Sequence, residues 1–176
     1  KQSKKLNRFQ TIEKVLKNSK LILKSSLYVC EESLIKKFEK EGLKDSIKIL
    51  KKTKRLEFEE HLNMYKDIDI CLDTYPYNGH TGISDSLFQS CVPTISYNGN
   101  SFASRVSKSL LSTLNLENLI TTSEKEYQKK IDFYCSNRTE LKKIRDYLLE
   151  YKETNFDRMK SFTKDFENLM LSLLKY

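Results

Sequence analysis

The chain has 176 residues, with 32 Lys and Arg against 24 Asp and Glu, a formal charge of +8 and a sequence pI near 9.2. Hydrophobic residues make up 38% and aromatic residues 11%, enough for the core of one domain and too much for wholesale disorder. No apolar run approaches the roughly 18 to 20 residues of a spanning helix, and Lys1-Gln2-Ser3-Lys4-Lys5 opens no signal-type segment, so no membrane span is expected.

Short β-rich runs alternate with amphipathic runs of helical length. A helix over about residues 4–17 comes first. Leu21-Ile22-Leu23-Lys24 then reads as a strand that extends toward Val29. Residues 31–41 read as a helix with Leu34, Ile35 and Phe38 on one face, closed by Gly42 as a C-terminal cap. Ile47 to Leu50 is the next strand, Glu57 to Tyr65 a short helix carrying His61, and Ile68 to Asp73 a strand. After a loop, a helix over residues 81–90, a strand over 93–97, a helix over 102–114 and a short strand at Leu119-Ile120 follow. From Glu124 the pattern is all helical, with breaks near Asn137 and Asn155 and a last helix to about Lys175.

This alternation predicts an α/β fold, a Rossmann-like parallel sheet with flanking helices over residues 1–122, with C-terminal helices over 123–176 packing on it. A doubly wound sheet normally opens on a strand, whereas this chain opens on a helix, so the first strand is expected to be missing.

Of the 32 cations, 26 are Lys and six Arg, and most are interleaved with Glu, the signature of solvated helix faces rather than base readout. Nucleic acid is therefore not an expected partner, although Lys48 to Arg55 is a dense basic run. Cys30, Cys71, Cys91 and Cys135 have no C-x-x-C spacing and read as buried thiols of a cytoplasmic protein.

The scarce residues are concentrated. Pro76, Pro93, Gly79, Gly82, Gly99 and His80 all fall between residues 76 and 99, with His61 fifteen residues before Pro76. The segment from Asp73 to Gly82 leads from the carboxyl end of a strand to a helix N-terminus, where open α/β sheets bind ligands and unpaired N–H groups attract phosphate. A phosphate-bearing ligand at Thr81 and Gly82 is the direct inference: Thr81 offers a hydroxyl and an N–H, Gly82 a close backbone approach, and Asp85 an acceptor for sugar hydroxyls. Thr81 as an ordinary N-cap and Asp85 as a helix-dipole partner are the plainer readings. Neither a GxxxxGK[ST] nor a GxGxxG loop is present. His61 reads as a base, a stacking platform or a surface residue. No H-E-x-x-H accompanies Glu59-Glu60-His61, so no metal is expected there.

The run Phe58-Glu59-Glu60-His61-Leu62, then Asp69 to Thr74, Asn78-Gly79-His80-Thr81, Asp85, Pro93 and Ala103-Ser104-Arg105-Val106 resembles the C-terminal catalytic lobe of the O-linked N-acetylglucosamine transferase family, which includes the SPINDLY-type O-fucosyltransferases. The resemblance runs from about residue 6 to the C-terminus. It implies the C-terminal, nucleotide-sugar-binding lobe of a GT-B fold, preceded in the full protein by tetratricopeptide repeats that bind the protein acceptor. It implies inverting transfer of a sugar, N-acetylglucosamine foremost, from a nucleoside diphosphate sugar such as UDP-N-acetylglucosamine to Ser or Thr of proteins, with no metal or other cofactor.

By the resemblance, His61 stacks on the nucleotide base, backbone groups from Leu56 to Phe58 and the side chain of Met64 complete the base and ribose pocket, His80, Thr81 and Gly82 contact the pyrophosphate, and Asp85 holds the ribose. The family has a second Thr where Gly82 stands and basic residues where Phe58 and Met64 stand. Its phosphate-binding Lys is either Lys1 or outside this chain. The general base is expected in the other lobe. Two alternatives remain open at this point: a GT-B glycosyltransferase or epimerase with a small-molecule acceptor, and a non-catalytic interaction domain of the same fold.

Overall fold

The structure, a computed structural model, describes residues 19–24, 31–40, 42–50, 57–155 and 158–174. The expected helix at 4–17, the extension toward Val29, Cys30, and the site candidates Lys1 and Leu56 lie outside the described residues.

Strand β1 (Leu21–Lys24) pairs in parallel with β2 (Ile47–Leu50), Leu21 opposite Ile47. Between them runs α1 (Glu31–Lys40), whose Phe38 packs with Leu43 against Leu21, Leu23, Leu34 and Ile47. Gly42, at φ +69°, ends α1 as expected: its N–H donates to Glu39 O at 3.0 Å and the Leu43 N–H to Phe38 O at 2.9 Å, a Schellman closure. The left-handed φ is the reason a glycine stands there.

Helix α2 (Phe58–Asn63) opens on a capping box between Glu57 and Glu60, which gives one carboxylate of the Glu59-Glu60 pair a structural task. Strand β3 is confined to Cys71–Leu72, shorter than the expected 68–73. Ile68 belongs to the preceding turn, because its N–H donates to Tyr65 O at 3.1 Å and its carbonyl accepts from Arg145 Nη2 at 2.6 Å. Helix α3 (Thr81–Ser84) continues into a π-helical turn (Asp85–Gln89), closed by Ser90 N–H to Asp85 O at 2.9 Å. π turns of this kind recur at functional sites.

Strand β4 (Thr94–Tyr97) lies between β3 and β5 (Ile120–Thr121), all parallel. Its buried Thr94, Ile95 and Ser96 mark it as the central strand of this second sheet. The expected helix at 102–114 divides into a 3-10 turn (Phe102–Ser104) and α4 (Val106–Thr113), because Ser101 and Ser104 cap one another.

Helices α5 (Glu124–Ser136) and α6 (Arg138–Thr154) close one core. Ile131, Tyr134, Leu141, Ile144 and Leu148 join Ile83, Leu87, Ile95, Leu111, Leu114 and Leu119 in a single buried cluster. Leu141, Ile144 and Leu148 follow the i, i+3, i+7 spacing of one helical face. Ser123 caps α5 by accepting from Glu126 N–H at 3.2 Å.

The last helix, α7 (Arg158–Leu173), was expected to pack on the lobe, yet its described side chains from Ser161 onward are exposed, Phe162, Phe166 and Leu169 among them. Of the cysteines, Cys91 is buried, whereas Cys71 and Cys135 are half-buried, a correction to the expected buried set. No helix among the described residues is long and apolar enough to cross a membrane.

Candidate functional site

The loop after β3 is anchored by two buried polar side chains. Asp73 Oδ1 accepts from Thr74 N–H at 2.9 Å and Gly79 N–H at 2.8 Å, while Oδ2 accepts from Ser96 Oγ at 2.7 Å. A buried carboxylate is costly unless its oxygens are filled, and these three donors fill them. The Asp73 carbonyl also accepts from the Tyr127 hydroxyl at 2.9 Å, and burial pushes that phenol far up from its ordinary value, so it stays a donor. Asn78, fully buried, donates through Nδ2 to Thr74 O at 3.2 Å and through its own N–H to Ala103 O at 2.9 Å, and its Oδ1 accepts from Ser107 N–H at 3.3 Å. Behind the loop Tyr75 stacks on Tyr97, centroids 4.2 Å apart. A Cβ on Gly99 would lie 2.5 Å from Ser104 Oγ and 2.9 Å from the Tyr75 ring, so only glycine fits there.

This frame delivers His80 to the N-terminus of α3. Its φ of +35° is strained for a residue with a Cβ, the kind of outlier concentrated at ligand sites. The ring is stacked on Tyr77 (4.8 Å, 12°), meets the edge of Phe102 (6.3 Å, 83°), and its Nε2–H donates to Ala103 O at 3.4 Å.

Local hydrogen bonds set the partners at this helix end. The N-cap is His80 and not Thr81, which is the first helical residue. The Gly82 N–H is not open to a ligand, because it donates to Gly79 O at 2.8 Å; the N–H groups of Ile83 and Ser84 go to His80 O. Nor does Gly82 need glycine's freedom: a Cβ there would meet only Tyr65 Oη, at 3.8 Å. The exposed Thr81, with its N–H and hydroxyl, is the donor this terminus presents.

His61 lies on the same side. Its Nε2 is 2.9 Å from Asp85 Oδ2, and its Nδ1 is 3.0 Å from Lys24 Nζ at the end of β1. The His61 and Asp85 side chains are 20% and 15% exposed, largely withdrawn from water yet reachable. Tyr65, one turn after His61, meets the imidazole edge-on at 5.5 Å and donates its hydroxyl to Gly82 O at 3.0 Å, tying α2 to α3. Burial, with smaller contributions from Cys71 and Asp85, pushes the Tyr65 phenol up to about 12.

The structure thus brings His61, Asp85, Gly82, Thr81 and His80 together at the carboxyl ends of parallel strands. Phe58, the first residue of α2, is 59% exposed, and Met64 is the C-cap of the same helix. Asp73 and Asn78 fall in the segment and motif that the sequence singles out but carry no assigned role there; Tyr65 stands at i+4 from His61, and nothing local to Lys24 marks it.

The family model described as Glycosyl transferase family 41 matches residues 2–166. The chain is 36% identical over 116 residues to the "Probable UDP-N-acetylglucosamine--peptide N-acetylglucosaminyltransferase SPINDLY" of Solanum lycopersicum, covering 65% of this chain and 12% of that protein. To the same-named protein of Eustoma exaltatum subsp. russellianum it is 34% identical over 136 residues, covering 76% and 15%. Among solved structures, "Thermobaculum terrenum O-GlcNAc transferase mutant - K341M" superposes with a TM-score of 0.81 at 25% identity, over 93% of this chain and 32% of that one. The chain therefore spans a small part of these relatives' length. With parallel strands flanked by helices and the family match over nearly its whole length, the chain belongs to glycosyl transferase family 41 as a Rossmann-like lobe of GT-B type.

Proposed function

We propose that this lobe binds the donor of a glycosyltransferase that moves a sugar, N-acetylglucosamine foremost, from a nucleoside diphosphate sugar to Ser or Thr of a protein. The observation that carries the reading is the convergence of His61, Asp85, Thr81 and His80 around the start of α3. In it the His61 ring stacks on the base beside Phe58 and Met64. Asp85, whose Oδ2 is engaged by His61, receives the ribose hydroxyls on Oδ1.

The pyrophosphate sits at the Thr81 N–H and hydroxyl and beside the His80 ring, where the helix terminus favours negative charge. As the glycosidic bond breaks, charge accumulates on the leaving diphosphate, and these fixed donors stabilise it without reorganisation. Lys1 and the backbone at Leu56 belong to the same reading as further donors to phosphate and base. No metal is invoked. The acceptor hydroxyl and the group that takes its proton are assigned to the other lobe, reached by a protein acceptor held on regions beyond this chain. The relatives' names favour a UDP donor over a GDP donor.

Calorimetric titration of the chain with UDP and with GDP, repeated on His61→Ala and Thr81→Ala, tests the reading. Saturable binding of one nucleotide, weakened by both substitutions, is the expected result. A folded chain that binds neither would favour a non-catalytic interaction domain.

A further inference from the structure

Lys24 is placed to control His61. An ammonium group has only donors, so at the 3.0 Å contact between Lys24 Nζ and His61 Nδ1 the ring nitrogen must accept. With Nδ1 accepting, the ring's N–H is on Nε2, which donates to Asp85 Oδ2 at 2.9 Å. The two bonds engage both ring nitrogens and come from different elements, β1 and the π turn after α3. With Tyr65 against the ring at 5.5 Å in edge-to-face geometry, the ring cannot rotate without breaking a bond. Neither nitrogen is left for a ligand, so the ring can offer only a face.

We propose that Lys24 is a positioning residue: it fixes the tautomer and the plane of His61, and through His61 the aim of the Asp85 carboxylate. The effect on nucleotide rests on the donor-site reading above; the effect on the ring does not. The consequence is a base platform and a ribose acceptor held as one unit before a ligand arrives, which lowers the ordering cost of binding. The Lys24 bond is solvent-exposed, and such bonds contribute little to stability. Its loss is expected in the state of the ring and not in the melting temperature.

The chain has only two histidines, so the imidazole nitrogens of His61 and His80 can be resolved by nitrogen-15 NMR of the ligand-free protein. At neutral pH the expected His61 pattern is a protonated Nε2 and an unprotonated, hydrogen-bonded Nδ1. Lys24→Met should move the Nδ1 resonance toward that of a free acceptor and lower nucleotide affinity about tenfold, the effect of one charge-assisted contact. Lys24→Arg, which keeps a donor, should restore most of both.

A His61 protonated on Nδ1, or a ring signature unmoved by Lys24→Met in a folded protein, would overturn the proposal. So would a moved ring with unchanged affinity. If the ring responds but UDP and GDP fail to bind the parent chain, the donor-site reading falls and the control of His61 by Lys24 stands.

Discussion

The imidazole of His61 and the carboxylate of Asp85, 24 residues apart in the chain, are joined at 2.9 Å between Nε2 and Oδ2. Helix α2 supplies one, the π turn after α3 the other, and the Tyr65 hydroxyl on Gly82 O holds the two elements in register. Two residues expected to touch different parts of one nucleotide are coupled before any ligand is present.

Coupling of this kind makes substitutions non-additive. His61→Ala and Asp85→Ala are each expected to weaken nucleotide binding about tenfold or more, and the double variant to lose less than the sum, with an interaction energy of about 1 kcal/mol. A double-mutant cycle measured by calorimetry checks this. Strict additivity would show that the bond plays no part in binding.

Asp73 anchors the loop that carries Asn78, Gly79 and His80. Asp73→Ala leaves the Ser96 hydroxyl and the Thr74 and Gly79 amides without their acceptor. The expected loss is about 3 kcal/mol of unfolding free energy, from the buried Ser96 hydroxyl and two loop amides stranded at once. Urea denaturation gives the magnitude, and hydrogen exchange should show the Gly79 amide unprotected in the variant while core amides of β4 remain slow.

Gly82 can be replaced. The nearest atom to an added Cβ is Tyr65 Oη at 3.8 Å, an ordinary contact. Gly82→Ala should stabilise the chain by about 0.5 to 1 kcal/mol, the usual gain over glycine in a helix. Gly82→Thr should fold as well as the parent and bind the nucleotide more tightly, since it adds a hydroxyl beside Thr81. Thermal melts and titration of both variants measure these effects, and weaker binding by Gly82→Thr would argue against phosphate at this terminus.

Two partly buried phenols set an alkaline limit. Tyr65 is pushed up to about 12 from an ordinary 10, and Tyr127 moves in the same direction, both chiefly because burial disfavours the phenolate. Above pH 10 the unfolded chain has released these protons while the native chain still holds them. Unfolding free energy must then fall as pH rises. The Tyr65 contribution is complete below about pH 10 and lost on approaching pH 12. Burial of Cys71, Cys91 and Cys135 raises their thiols from 9.0 and widens the window downward. Melting temperatures from pH 8 to 12 should decline steadily. Tyr65→Phe should be less stable at pH 8, having lost the bond to Gly82 O, and should show a shallower decline.

Much of the architecture is legible in residue order. The alternation of short apolar runs with amphipathic ones places β1 and β2 at Leu21–Lys24 and Ile47–Leu50, as observed. Gly42 declares the end of α1, and Leu141, Ile144 and Leu148 declare the buried face of α6. The concentration of Gly, Pro and His between residues 76 and 99 marks the loop that the structure places at the strand ends. These features depend on residues within a turn or two of one another, and periodicity and capping report such short-range relations directly.

Tertiary structure alone decided the rest. That Ile68 leaves its strand for Arg145, 77 residues away, and that the Tyr127 hydroxyl reaches the Asp73 carbonyl follow from partners distant in the chain. The chain Lys24–His61–Asp85 is the clearest case. Each link spans 24 residues or more, and no spacing rule joins a strand end to a short helix and a π turn. They meet because the end of β1, helix α2 and the turn after α3 come together in space, a relation that only the folded chain sets.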